Sequence, residues 1–381
     1  MKKRKRNSDP LPVDIIVEIL SRSSNKSVAT FGLASKYCAS IVSRQDFTEL
    51  FLTRSITRPR GPRLLFSVKN RHGWCFFSSH QPQNPDTKPS LVVKADFLKG
   101  FKEFVCPEIC GLVSSLLLFT SIRTSKMQVI CNPSTGQYRR LRQRKKINFT
   151  RPLLGYDPIG KQYKVLNICN PPYGSPYEEE GIRSLPTTTG ELSWRKFWFL
   201  THYPISEGIC INGVLYYVAI VTGGMNKMIA CFNVRHENLE FLKAHAITGN
   251  ESSSSNKLIN YKGKLGVISW YWYGFDGRPR SALKLCLWIL KDDKKQEWLQ
   301  HNYNFPVNVI VEGDISVVGV IAATGEIVFS MDYTFKRFFV FYFNPERNTF
   351  KKVGIQGFEE SENQARVHTF VDYAEDFNFI R

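Results

Sequence analysis

Apolar positions recur at two different periods along this chain, helical near its start and strand-like beyond it. Over residues 11–20, Leu-Pro-Val-Asp-Ile-Ile-Val-Glu-Ile-Leu, the side chains of Ile15, Ile16, Ile19 and Leu20 return at the spacing of one helix face. Pro12 suits a first helical turn, where its missing N–H is no loss, and Asp14 sits at the positive end of the dipole. A break follows at Ser23-Ser24-Asn25. Ser27 then reads as the N-cap of a second helix carrying Val28, Phe31, Ala34, Cys38, Ile41 and Val42 on one stripe. Residues 46–53 read as a third, short helix with Phe47, Leu50 and Phe51 turned inward. Three helices in so short a stretch bury a marginal core, and such a module gains stability by laying one face on another polypeptide.

After a basic, Pro-rich joint, Arg58-Pro59-Arg60-Gly61-Pro62-Arg63, helical periods vanish. Short apolar and aromatic runs alternate with Gly, Asn, Pro and Asp turns, the texture of many strands. One unit recurs: an apolar strand, a tight polar turn, then a strand with aromatic and basic residues. It spans 129–141, 229–242, 285–298 and 340–353, and each copy reads as a hairpin. Before these hairpins come Gly111, Gly213, Gly263 and Gly325, each read as leading an inner strand. The last three glycines are spaced at roughly the fifty residues of a kelch-like blade. The expected fold is therefore α+β by domain: a three-helix unit over residues 5–55, a joint over 56–64, and a large all-β domain over 65–375. For the last, the expectation is an irregular kelch-like β-propeller of about six four-stranded blades, with a two-sheet sandwich as the structural alternative.

Composition narrows the function classes. With 43% apolar residues, 28 Phe, 16 Tyr and 7 Trp, the chain is a folded protein. The longest apolar runs, 112–122 and 209–221, are interrupted and fit buried strands better than membrane spans. The basic start lacks an apolar signal core, so a nuclear or cytoplasmic location is expected. The net charge of +19 includes Lys2, Lys3, Arg4, Lys5 and Arg6, a candidate nuclear-import run, and a second cluster from Arg139 to Lys146. Clustered charge without a recognisable reader does not make nucleic acid the expected partner.

The nine cysteines read as reduced, packed thiols. Cys106 and Cys110 have no partner pair to complete a zinc site, so neither metal nor cofactor is expected. No nucleophile elbow, phosphate-cradling loop, dinucleotide fingerprint or zinc-protease helix is present, and the seven His are dispersed. Catalytic residues are therefore not assigned. In the aromatic cluster around Trp270, Tyr271 and Tyr273 are the candidates for outward-facing partner contacts.

The motif Leu11-Pro12-x-Asp14-x-Ile16-x-Glu18-Ile19-Leu20, with Lys26-Ser27-Val28, Ser35-Lys36 and Asp46-Phe47, resembles the F-box. That family binds the Skp-type adaptor of a cullin-based ubiquitin ligase. The resemblance implies adaptor contacts among Leu11, Pro12, Ile15, Ile16, Glu18, Ile19, Leu20, Ser27, Val28, Phe31, Ser35 and Lys36. Family members usually carry Leu-Pro where this chain has Ser23-Ser24, and a Trp where it has Cys38. Large-to-small changes of that kind cost about 3–5 kcal/mol, so adaptor binding is expected in reduced form. The stretches Val129-Ile-Cys-Asn-Pro-Ser-Thr-Gly-Gln137, Leu154-Gly-Tyr-Asp-Pro-Ile159, Tyr163-Lys-Val-Leu166 and Ile211-Asn-Gly-Val-Leu-Tyr-Tyr217 resemble the plant F-box-associated domain, as do Ser193-Trp-Arg195, residues 258–265 and Gly325-Glu-Ile-Val328. Together the two resemblances imply a non-catalytic adaptor that selects a protein substrate for ubiquitin transfer. The rival expectation is a stand-alone basic propeller that binds nucleic acid or glycan.

Overall fold

A computed structural model describes residues 11–375 apart from 24, 58–62, 72, 82–90, 102–107, 122–126, 142–150, 170–180, 187–194, 198–199, 201, 222–226, 244–246, 248–254, 276–277, 307–314, 335–336 and 359–363. The basic run Lys2, Lys3, Arg4, Lys5 and Arg6 lies outside the described residues, as do residues 58–62 of the Pro-rich joint, whose two ends belong to the flanking helix and strand.

Four helices open the chain instead of three: α1 (Val13–Ser21), α2 (Asn25–Ala34), α3 (Lys36–Val42) and α4 (Gln45–Thr57). The long second helix expected from residue 27 to residue 42 is split at Ser35. Its backbone is extended (φ −162°, ψ 165°), and its hydroxyl accepts the amide of Cys38 at 3.1 Å. Ser35 is thus an N-cap in its own right, and an N-cap cannot also continue a helix. Helix α2 begins at Asn25, so Ser27 lies within it, exposed, and is not the cap. Leu20, Val28, Val42, Phe47 and Phe51 form the small core, with Ile16, Val17 and Phe31 against it.

The remainder is six sheets, antiparallel except where one strand joins the sixth. The first holds β1 (Arg63–Asn70), β2 (Gly73–His80) and β4 (Asp96–Phe101); β3 (Leu91–Lys94) leaves it for another sheet. The second is β5 (Glu108–Val113), β6 (Leu116–Thr120), β7 (Gln128–Asn132) and β8 (Gln137–Leu141). The third is β9 (Leu153–Asp157), β10 (Gln162–Cys169), β11 (Gly181–Pro186) and β12 (Arg195–Phe197). The fourth contains β13 (His202–Pro204), β14 (Ile209–Ile211), β15 (Val214–Val221), β16 (Lys227–Asn233) and β17 (Leu239–Leu242). The fifth is β18 (Ser255–Tyr261), β19 (Lys264–Phe275), β20 (Arg278–Asp292) and β21 (Glu297–Pro306). The sixth is β22 (Ile315–Val320), β23 (Ile327–Met331), β24 (Phe338–Asn344) and β25 (Thr349–Gln356), with β3 added parallel to β25. The last strand, β26 (Arg366–Tyr373), returns to pair with β1 and closes the ring. This is a β-propeller, not a sandwich.

Both faces of each sheet are covered by neighbouring sheets, which is why strands such as β6, β7 and β23 read as unbroken apolar runs and are buried throughout. The core is accordingly a set of clusters between sheets. Trp74 meets Phe119 at 5.4 Å across sheets one and two, and Phe305 meets Phe343 at 4.6 Å across five and six. Polar contacts stitch joints between neighbouring sheets as well. Gln128 and Asn167 exchange side-chain hydrogen bonds of 2.8 and 3.1 Å, fully buried. Arg235 pairs with Asp157 at 3.0 Å and Lys164 with Glu237 at 2.7 Å. Lys262 reaches Glu346 at 2.6 Å, and Ser330 meets Thr369 at 2.8 Å.

The four expected hairpins are all present, as β7–β8, β16–β17, β20–β21 and β24–β25. They share a turn. Its first residue is Asn132, Asn233, Asp292 or Asn344, whose side-chain oxygen accepts backbone amides two or three residues on. Its fifth is Gly136, Glu237, Gln296 or Asn348, each at positive φ. Gly111 does lie in an innermost strand, β5, but for Gly213, Gly263 and Gly325 the inner-strand reading is corrected. Gly213 and Gly263 stand in the turns before β15 and β19, which are second from the ring's centre; the innermost strands are β14 and β18. Asn212-Gly213 and Lys262-Gly263 both have positive φ at two successive residues, the turn whose twist matches a two-residue hairpin.

Candidate protein-docking surfaces

Helix α1 divides its apolar residues between two faces. Ile16, Val17 and Leu20 turn into the small core, while Ile15 (47% exposed) and Ile19 (54%), one turn apart, line the outer face, and Leu11 (59%) is exposed just ahead of the helix. Tyr37 on α3 is also exposed, at 54%. Pro12 precedes the helix in an extended conformation, and its carbonyl accepts the amides of Ile15 and Ile16. Glu18 is held by Arg22 at 2.5 Å and Arg54 at 2.9 Å, and the hydrogen bonds from Arg54 and then Arg22 lower its carboxyl below the usual range. Arg54 also donates to Ser21, so Glu18 serves to pin α1 to α4.

The residues proposed for adaptor contact thus separate into roles. Leu11, Pro12, Ile15 and Ile19 are available on the surface, as are Ser27 and Lys36. Leu20 and Val28 are core residues, 7% and 0% exposed, and Ile16 and Phe31 are half-buried against them. These four shape the face from behind. Ser35 is consumed in capping α3. Tyr37 was not marked by the sequence pattern, because a continuous helix from 27 to 42 gives it no special place; only the break at Ser35 sets α3 apart.

On the propeller, Tyr271 is half-buried with the ammonium of Lys284 5.4 Å from its ring centre. Tyr273 lies two residues further along β19, and its side chain lies outside the described residues. Trp270 packs into the largest cluster.

The innermost strands enclose a central cavity of about 710 Å³. Several of its polar groups are paired. Arg151 donates to the Ile109 carbonyl at 2.7 Å and pairs with Glu207 at 3.0 Å; Ser316 donates to Asp332 at 2.8 Å. Burial, with the nearby charge of Arg366, pushes His368 down to about 4, and burial raises Asp372, which accepts the Ala322 amide at 2.8 Å. Among the described residues no group of three or more His, Cys, Asp or Glu could hold a metal ion. Burial drives the Cys110 and Cys231 thiols up to about 12, and Cys131 higher still. These are packed thiols, not thiolate nucleophiles. Among the described residues no helix is long and apolar enough to cross a membrane.

The profile of the F-box associated beta propeller domain matches residues 63–374, from the first strand of the ring to the one that closes it. This chain belongs to that family of F-box proteins. Its F-box relatives in Arabidopsis thaliana span the whole length. One bearing an F-box name, At5g52620, is 54% identical over 99% of this chain and 100% of its own. The F-box protein At3g57590 is 44% identical over 97% of this chain and 91% of its own. F-box protein At2g16450 is 38% identical over 98% and 94%.

Proposed function

We propose that this F-box protein is the non-catalytic substrate-recognition subunit of a Skp–cullin–F-box ubiquitin ligase. The helices hold a Skp-type adaptor and, through it, a cullin, and the propeller holds a protein substrate. The observation that carries this is the outer face of α1. Leu11, Ile15 and Ile19 stay exposed although a complete small core lies directly behind them. Fully burying an Ile is worth about 1.5–3 kcal/mol, so a partner that covers the exposed half of each side chain gains about half of that per residue. Catalysis then belongs to other subunits, and this chain contributes proximity by raising local concentration. A nuclear or cytoplasmic location accords with that role, and the run from Lys2 to Arg6 is the proposed import signal.

Co-purification of the full chain with a Skp-type adaptor tests the proposal. Wild type is expected to recover the adaptor weakly, and the triple variant Ser23→Leu, Ser24→Pro, Cys38→Trp to recover more. No adaptor with either version removes the ligase role.

A further inference from the structure

Every outer strand of the ring presents an edge whose outward N–H and C=O groups could pair with another chain, and folded proteins shorten, charge, bend or cover such edges. This molecule does so at five of its six sheets. Strand β4 has 6 residues, carries Asp96 and Lys99 and faces a bulge at Phe76/Phe77. Strand β8 has 5 residues with Arg139 and Arg140, β12 has 3 with Arg195 and Lys196, and β17 has 4 with Glu240. The second half of the 8-residue β25 is covered by β3, which pairs with it from Val353↔Leu91 to Gln356↔Lys94, and its first half carries Lys351 and Lys352.

Strand β21 is the exception. It has 10 residues, no Asp, Glu, Lys or Arg from Trp298 to Pro306, and an unshifted register against β20 from Ala282↔Pro306 to Leu290↔Trp298. Among the described residues no strand pairs with its outer side, and Leu299, Gln300, His301, Asn302 and Asn304 are exposed. The two rows of its side chains differ. Gln300, Asn302 and Asn304 form an amide row, with Gln300 donating to Asn302 at 3.2 Å. Leu299, His301, Tyr303 and Phe305 form the other, whose last two rings are braced on Phe343 at 5.0 and 4.6 Å.

We infer that β21 is a docking edge, and that its occupant is an extended, uncharged or acidic segment of the recruited protein, added as a further strand of the fifth sheet. The identity of that protein as a substrate rests on the ligase reading; the edge itself does not. Strand addition supplies affinity through main-chain hydrogen bonds and selectivity through alternate side chains. Here it favours polar residues beside the amide row and apolar ones beside Leu299 and Tyr303. The sixth sheet already shows the same operation within one chain, β3 laid on β25. A second copy of this protein is disfavoured as occupant because each carries a net charge of +19, and that same charge attracts an acidic segment.

The test is backbone hydrogen exchange on the full chain with a mixture of decapeptides that alternate Ser, Thr, Asn or Asp with Val, Ile, Leu or Tyr. The expected result is new protection of alternate amides between 298 and 305. Because alternate residues face outward, one of His301→Pro and Asn302→Pro removes an outward amide and leaves the ladder to β20 intact. The variant that keeps the wild-type melting temperature is expected to lose peptide binding at least tenfold. Protection elsewhere, or none in this strand, overturns the inference. So does a dimer whose β21 amides are protected without peptide. Adaptor recovery is scored on the same preparations: adaptor bound with β21 unprotected defeats the docking edge alone, and β21 protected with no adaptor defeats the ligase reading alone.

Discussion

At the scale of single residues, the propeller is tied shut by Arg63. Its side chain is buried at the start of β1 and reaches Glu375 beyond the end of β26 at 3.0 Å, Asp96 at 2.8 Å and the hydroxyl of Ser78 at 3.0 Å. Removing the guanidinium leaves Glu375, 19% exposed, without its partner, while Asp96, 62% exposed, is solvated, so the cost is about 1–3 kcal/mol. Arg63→Ala is therefore expected to lower the unfolding free energy by that amount, read as a lower denaturant midpoint with an unchanged slope. His368 is a second such residue, on the closing strand and against the Trp74 ring at 5.6 Å. Burial and Arg366 depress it to about 4, Lys257 and Lys69 add to that, and Glu207 opposes it. Between pH 6.5 and about 4 the unfolded chain binds the proton that the folded chain refuses. This contribution is complete above pH 6.5 and is lost as pH falls through that window, by at most about 3 kcal/mol. His368→Phe is expected to flatten the fall in stability, measured by thermal melts across the same range.

At the scale of elements, what the sequence disclosed followed from whether a neighbour in sequence or a neighbour in space decides the structure. The hairpins were legible because Asn132, Asn233, Asp292 and Asn344 set their turns locally, by accepting amides two or three residues away. The rank of a strand within its sheet was not. Gly213 and Gly263 mark turns in either case, and only the ring closure shows that β14 and β18 lie further in. The passage of β3 to the edge of β25 has no sequence signal at all, since a parallel strand pairing depends on two remote segments meeting. Ser35 is the opposite case, a cap that the apolar stripe concealed: Val28, Phe31, Ile41 and Val42 keep helical phase across the break. Ser35→Ala is expected to cost about 1 kcal/mol in a urea melt of the full chain, and Ser35→Asp to restore most of it.

At the scale of the whole molecule, the two parts meet different needs. The ring builds its core between sheets and closes on itself, so it offers loops and edges without exposing its interior. The helical part is small enough that its apolar residues cannot all be hidden, and α1 keeps one row inward and one outward. The motif marks Leu11, Pro12, Ile15 and Ile19 for adaptor contact and the fold leaves them exposed; that Leu20 and Val28 support the face from within required the fold. Glu18 adds a pH dependence to this part. Its carboxyl is held low by Arg54 and Arg22, so the link between α1 and α4 is intact above the usual carboxylate range and is lost as pH falls through the lowered value.

The most direct measurement is titration calorimetry of the full chain against a purified Skp-type adaptor, wild type beside the double variant Ile15→Asp, Ile19→Asp. Both side chains are half exposed, so the variant is expected to melt at the wild-type temperature. The account expects a measurable affinity for wild type and a loss of about a hundredfold or more in the variant, the cost of charging two buried contacts at the interface. Wild type without affinity for the adaptor, or a variant that binds as well as wild type, would contradict it.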